Sequence, residues 1–306
     1  MTGSSIPSGR SPRFSGAQSI DDSDCPIGVF DSGVGGLTVL KAIAQRLPQE
    51  SLLYFGDTAR LPYGTRSQAE IIQFVREILD WMTHHRTKMV VMACNTSSAL
   101  ALDYVRAEYK IPILGVILPA ARVAVTTGQR VGVIATQATA SSRAYTQAMQ
   151  EIVPATQVWE VGCPEFVPLI EQNRIHDPET RAVVTRYVEQ LLSYQIDTLI
   201  YGCTHYPHLK PIVDTILPST VRQVDPASHA AEAVAKELQL MSLGSTTVQR
   251  TVRFGVSDRP DRFAALAQQW LGYAPEVEEI DLCSSESATS ALFPSPGLPV
   301  EHFPVG

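Results

Sequence analysis

Twice along this chain, a short apolar run ends in a polar side chain and a later apolar run ends in a cysteine. IGVF (27–30) leads into Asp31, Ser32 and Gly33, and MVVMA (89–93) leads into Cys94, Asn95 and Thr96. VGVIA (131–135) then leads into Thr136, with Thr139 close behind, and TLIYG (198–202) leads into Cys203, Thr204 and His205. Such a faint internal duplication predicts two halves of similar build. Ligands of open α/β sheets bind at the carboxyl ends of the strands. Two halves set face to face would therefore put one cysteine on each side of a single crevice.

The rest of the pattern agrees with that architecture. Further runs rich in Val, Ile and Leu lie at 52–55, 112–116, 157–161, 221–224, 252–256 and 277–282, as expected of strands buried on both faces of a parallel sheet. Helical periodicity separates them. Ser67 and Glu70 form a capping box ahead of Ile71, Phe74, Val75, Ile78, Leu79 and Met82. Asp177 and Pro178 mark another helix start. Strand–helix alternation of this kind predicts an α/β fold with mostly parallel sheets.

Composition excludes several classes. The net charge is -7, and no basic stripe offers a footprint for nucleic acid. No basic amphipathic helix suggests a membrane surface. The longest apolar stretch, 111–125, holds Arg122, Pro112 and Pro119, and is too short and broken to span a bilayer. The five cysteines are widely spaced with no CxxC, which predicts reduced thiols in a cytoplasmic protein. Residues 1–25 lack an apolar core for a secretory signal and read as a disordered extension.

Five segments carry candidate chemistry. In FDSGVGGLTVL, glycines between a strand and a helix allow close approach of an anion, or simply make a tight turn with Asp31 as an N-cap. In FGDTARLPYGTRS, the backbone around Tyr63 and Gly64 is open to a ligand, or forms an ordinary loop. Cys94 precedes a helix expected to begin near Ser97, whose N-terminus would lower the thiol pKa, although a lone buried cysteine is more often structural. Cys203 holds the matching position beside Thr204 and His205. With His208 these residues could suggest zinc, but the spacing is not that of a structural site, and no metal is expected. In VGCPEFVPLIEQ, Cys163 and Glu171 taken alone read as structural. His84, His85, His176 and His229 lie in polar segments and are expected at the surface.

The blocks IGVFDSGVGGLTVL, YFGDTARLPYGTRS, MACNTSSA, VGVIATQAT, CPEFVPLIE and YGCTHYPHL resemble the glutamate racemases of the aspartate/glutamate racemase superfamily. The resemblance runs from about residue 26 to 256, and the final strand–helix–strand fits it as well. It implies two pseudo-symmetric, doubly wound domains with the active site in the cleft between them. The expected organisation is 26–117 plus 226–284 for one domain and 118–225 for the other, with an irregular tail at 285–306. By similarity, Cys94 would take the proton from D-glutamate and Cys203 from L-glutamate, assisted by Asp31, His205 and Glu171. Asp31, Ser32, Pro62, Tyr63, Gly64, Asn95, Thr96, Thr204 and His205, and less securely Thr136 and Thr139, match substrate-contacting positions.

Two thiols suit inversion at Cα. One must accept a proton on one face while the other delivers a proton to the opposite face, with donors aimed at the charge developing on the carboxylate. Nothing in the sequence selects an electron-sink cofactor, so none is expected. The resemblance further implies a cytoplasmic homodimer supplying D-glutamate for bacterial peptidoglycan, and hence for cell shape. Aspartate racemase, or another two-cysteine racemase such as a hydantoin racemase, is the alternative enzyme. One departure is Leu118–Pro119, where the family commonly carries Glu–Pro. It is expected to bear on packing or regulation rather than on chemistry.

Overall fold

The computed structural model describes residues 22–245 and 250–282. The expected tail at 285–306, Cys283 and most of the expected N-terminal extension lie outside the described residues. The ordered fold nonetheless begins before residue 26. Asp22–Asp24 form a 3-10 turn and Cys25 is buried, because the Lys88 ammonium reaches back to the Ser23 carbonyl at 2.6 Å.

Among the described residues, ten strands form two wholly parallel sheets. The first contains β1 (Ile27–Asp31), β2 (Leu52–Gly56), β3 (Met89–Met92), β4 (Ile113–Gly115), β9 (Val252–Val256) and β10 (Val277–Glu279), in the order β10-β9-β2-β1-β3-β4. The second contains β5 (Arg130–Ala135), β6 (Gln157–Gly162), β7 (Thr198–Gly202) and β8 (Arg222–Val224), in the order β6-β5-β7-β8. The order β2-β1-β3-β4 is thus repeated as β6-β5-β7-β8, so the duplication read from the strand ends is also a duplication of topology.

Each sheet is covered on both faces, which is why β1, β2, β3 and β7 are buried along their whole length. Alternate residues serve opposite cores. Ile27, Val29, Met89 and Val91 pack with the helices Leu37–Arg46, Pro226–Met241 and Pro260–Leu271. Phe30, Val90 and Met92 pack with the helix Gln68–His84. In the second sheet, Val131 and Val133 pack with Ile117–Thr127 and Ala144–Ile152, whereas Leu199 and Tyr201 pack with Phe166–Glu171 and Pro178–Leu192.

The helix punctuation follows local chemistry. Ser67 and Glu70 make the reciprocal capping bonds, and Pro178 occupies the first turn of its helix. Asp177 makes no capping bond. Its carboxylate accepts from Arg174 Nε at 2.8 Å instead. Two histidines depart from the surface expectation. His85 lies 4.2 Å from the Trp81 ring, centroid to centroid, and His229 is half-buried on the helix Pro226–Met241. Leu118, at the family's Glu position, is 40% exposed.

Candidate active site

In each sheet the strand order reverses beside its first strand, between β1 and β3 and again between β5 and β7. A crevice opens at the carboxyl ends there. Asp31 ends β1, Cys94 follows β3, Thr136 follows β5 and Cys203 follows β7. The two crevices merge into one cleft of about 590 Å³, whose wall includes both Cys94 and Cys203. Each cysteine is only 6% exposed, so both thiols are set deep in the cleft wall.

The first half builds its wall from tight turns. The helix after β1 starts at Leu37 with Gly36 as its N-cap, so Asp31 is not the capping residue. Its Oδ2 accepts instead from the Gly33 N–H at 3.0 Å, while the Gly33 carbonyl accepts from the Tyr54 hydroxyl at 2.6 Å. Ser32 Oγ lies 4.0 Å from Cys94 Sγ. Pro62, Tyr63 and Gly64 reach the cleft, but the Tyr63 side chain turns inward, where its hydroxyl donates to Asp57. Asp57 is fully buried and also accepts from Arg60 Nε at 2.6 Å and Ser257 Oγ at 2.9 Å, which pins the loop.

The second half supplies a chain of three groups. Cys203 Sγ lies 3.9 Å from His205 Nδ1, and His205 Nε2 lies 3.1 Å from Glu171 Oε1. Glu171 closes the helix Phe166–Glu171 and touches His205 rather than the sulfur. Thr204 Oγ1 donates across the cleft to Asp31 Oδ1 at 3.4 Å. Thr96, from the first half, meets Thr136 at 3.0 Å and Thr139 at 3.2 Å through their hydroxyls. Asp31 and Thr139 are fully buried and do not line the cleft themselves.

Electrostatics correct one expectation. Cys94 is the N-cap of the helix Asn95–Leu100, which starts earlier than Ser97, and that position alone would favour a thiolate. Burial instead pushes the Cys94 thiol up to about 12, and the Asp31 charge adds to it, outweighing the bonds from Ser97. His205 is brought up to about 10. Burial opposes its charge, but the bonds to Cys203 and Glu171 and the nearby Asp31 overcome burial. The Glu171 carboxyl is held below its usual range, because the His205 bond outweighs burial. Burial raises the Asp31 carboxyl against the opposing pull of His205.

The zinc grouping is not assembled. His205 faces Cys203 and Glu171, whereas His208 lies 4.1 Å from the Trp270 ring. Among the described residues, no group of three His, Cys, Asp or Glu side chains is placed to hold a metal. The cleft also uses residues that the sequence reading did not single out. Gln137 and Arg262 line it, and Tyr145 donates to Asn95 Oδ1 at 2.7 Å from the opposite half. Tyr145 and Arg262 sit on helices, where nothing local distinguishes them from structural or surface residues.

Residues 27–234 match the Asp/Glu/hydantoin racemase family. The chain is 62% identical over 257 residues to a glutamate racemase of Rippkaea orientalis, covering 84% of this chain and 92% of that protein. Among solved structures, it resembles glutamate racemase isoform RacE1 of Bacillus anthracis at 35% identity and a TM-score of 0.82, covering 85% of this chain and 98% of that one. It also resembles the glutamate racemase of Francisella tularensis in complex with D-glutamate, at 36% identity and a TM-score of 0.81, covering 86% and 99% respectively.

Proposed function

The chain belongs to the Asp/Glu/hydantoin racemase family and is an isomerase, an amino-acid racemase; from that premise we propose that it interconverts L- and D-glutamate through paired proton transfers by Cys94 and Cys203. The observation that carries this reading is the placement of one cysteine at equivalent strand ends of two repeated halves, both on the wall of one cleft.

A glutamate Cα–H must be removed on one face and replaced on the other. Cys94 takes the proton from D-glutamate and Cys203 from L-glutamate, each as the thiolate, and the facing thiol returns a proton to the opposite side of the carbon. The two sulfurs thus exchange protonation states at each turnover, and no proton is gained or lost overall. Burial, with the Asp31 charge, raises the Cys94 thiol to about 12. The substrate ammonium brings a positive charge that favours its ionisation. His205, 3.9 Å from Cys203 and steadied by Glu171, is placed to exchange a proton with that sulfur. Donors from Asn95, Thr96, Thr136 and Thr204 meet the two carboxylates, and no cofactor takes part. Product D-glutamate then serves peptidoglycan synthesis in the cytoplasm. Among the described residues, no helix is long and apolar enough to cross a membrane.

The test is incubation with L-glutamate in deuterated water without added cofactor. Deuterium at Cα together with D-glutamate is expected, and the absence of both sinks the proposal. Cys94→Ala and Cys203→Ala should each abolish net racemisation. Full turnover by either variant excludes the two-base scheme. A parallel run with aspartate decides substrate preference, and racemisation of aspartate alone would overturn glutamate as the substrate.

A further inference from the structure

Asn95 stands next to Cys94 on the cleft wall and is 3% exposed. Its Oδ1 accepts the 2.7 Å hydrogen bond from the Tyr145 hydroxyl, and its Nδ2 has no partner among the described residues. Tyr145 belongs to the other half. It lies on the helix Ala144–Ile152, fully buried among Val133, Ala135 and Met149 against the second sheet. A buried donor without a partner is costly, and Asn95 Nδ2 is such a donor on the wall of a ligand-sized space.

A side-chain amide has a donor side and an acceptor side, so whichever meets the tyrosine leaves the other for the cleft. The Tyr145 hydroxyl has one proton to give, and Asn95 Oδ1 is its only acceptor among the described residues. Burial holds the phenol protonated. The reversed amide would leave that proton without an acceptor and turn Oδ1 towards the cleft. A carboxylate offers only accepting oxygens, so an acceptor at that place would repel it.

We propose that Tyr145 is a positioning residue: it fixes the Asn95 amide with its NH2 towards the cleft, ready to donate to a substrate carboxylate beside Cys94. This deepens the racemase reading and rests on it. Because Tyr145 and Asn95 come from different halves, the donor is set only when the two halves meet. Recognition of the carboxylate is thereby coupled to closure of the cleft.

Tyr145→Phe in the full chain keeps the ring and removes only the hydroxyl. KM for glutamate should rise roughly tenfold, the scale of one hydrogen bond to a charged group, with kcat less affected. Asn95→Ala should produce a similar rise, and Tyr145→Phe should add nothing in the Asn95→Ala background. An unchanged KM in Tyr145→Phe, or effects that multiply in the double variant, overturns the proposal. Calorimetric Kd values for D-glutamate across the same cycle separate the two readings. Wild-type protein that binds glutamate without racemising it sinks the racemase reading while the cycle still decides the role of Tyr145. Failure to bind either enantiomer sinks both.

Discussion

Glu171 Oε1 lies 3.1 Å from one nitrogen of His205, and the other nitrogen of that ring lies 3.9 Å from Cys203 Sγ. The ring of His205 therefore stands between the carboxylate and the sulfur. Glu171→Gln keeps a hydrogen-bonding group but removes the charge that helps raise His205 to about 10. Turnover should fall by roughly a hundredfold, and the alkaline limb of the pH–rate profile should move to lower pH. The loss in kcat/KM should be equal in both directions, because the two enantiomers have equal free energy. A profile measured between pH 6 and 11 checks this, and an unmoved alkaline limb refutes it.

Gly35 brings the two halves into contact. A Cβ there would lie 2.2 Å from Thr204 Oγ1 and 2.4 Å from His205 Nδ1, both in the opposite half. Gly→Ala ordinarily stabilises by about 0.4–1 kcal/mol through the unfolded chain. Overpacking costs about 1–3 kcal/mol and should win here. Gly35→Ala should thus lower stability in urea and reduce kcat/KM by roughly a hundredfold as the His205 ring is displaced. Wild-type kinetics in this variant would show that the contact yields freely.

Lys88 and Glu50 form a sealed ion pair at 2.5 Å, and the ammonium also donates to the carbonyls of Ser23 and Leu243. The pair sits ahead of β2 and β3, at the end of the sheet opposite the cleft. Lys88→Met leaves a buried carboxylate unpaired and should cost about 3–5 kcal/mol in urea unfolding. Adding Glu50→Gln should recover part of that. KM of the folded fraction should stay at the wild-type value, and a shifted KM would link the two ends of the sheet.

Two histidines shape stability around neutrality with opposite sign. His208 is brought down to about 4 by burial and by the charges of His205 and Lys41. Unfolded, it titrates near 6.5, so between about pH 4 and 6.5 the unfolded chain binds more protons and stability rises with pH. His205 is raised to about 10, so its contribution is complete below about pH 6.5 and is lost as pH climbs towards 10. Thermal scans should peak near pH 6.5. His208→Gln should flatten the acid side and His205→Gln the alkaline side, and an unchanged curve in either variant contradicts its assignment.

The ten strands of the described residues were legible as short apolar runs between helical segments, most plainly β1, β2, β3 and β7, which are buried on both faces. β10 ends at Glu279, short of the expected 282, and Ile280 and Leu282 beyond it pack against the core beside the helix Gln68–His84. The strand-end cysteines, Asp31 and the His205 neighbourhood were legible for a related reason: a duplicated topology places equivalent strand ends in one crevice. The direction of the Cys94 shift was not. Sequence shows a helix start but not the depth of burial or the buried Asp31 carboxylate that overrides it. Tyr145 was hidden as well, since its partner Asn95 lies fifty residues away, on a helix that follows a strand of the other sheet.

Among the described residues, the backbone passes from one sheet to the other at two places, from β4 into the helix Ile117–Thr127 and from β8 into the helix Pro226–Met241. These two passages pack against each other. Every ladder is therefore closed within its own half, and the two halves are tied together by one pair of neighbouring helices.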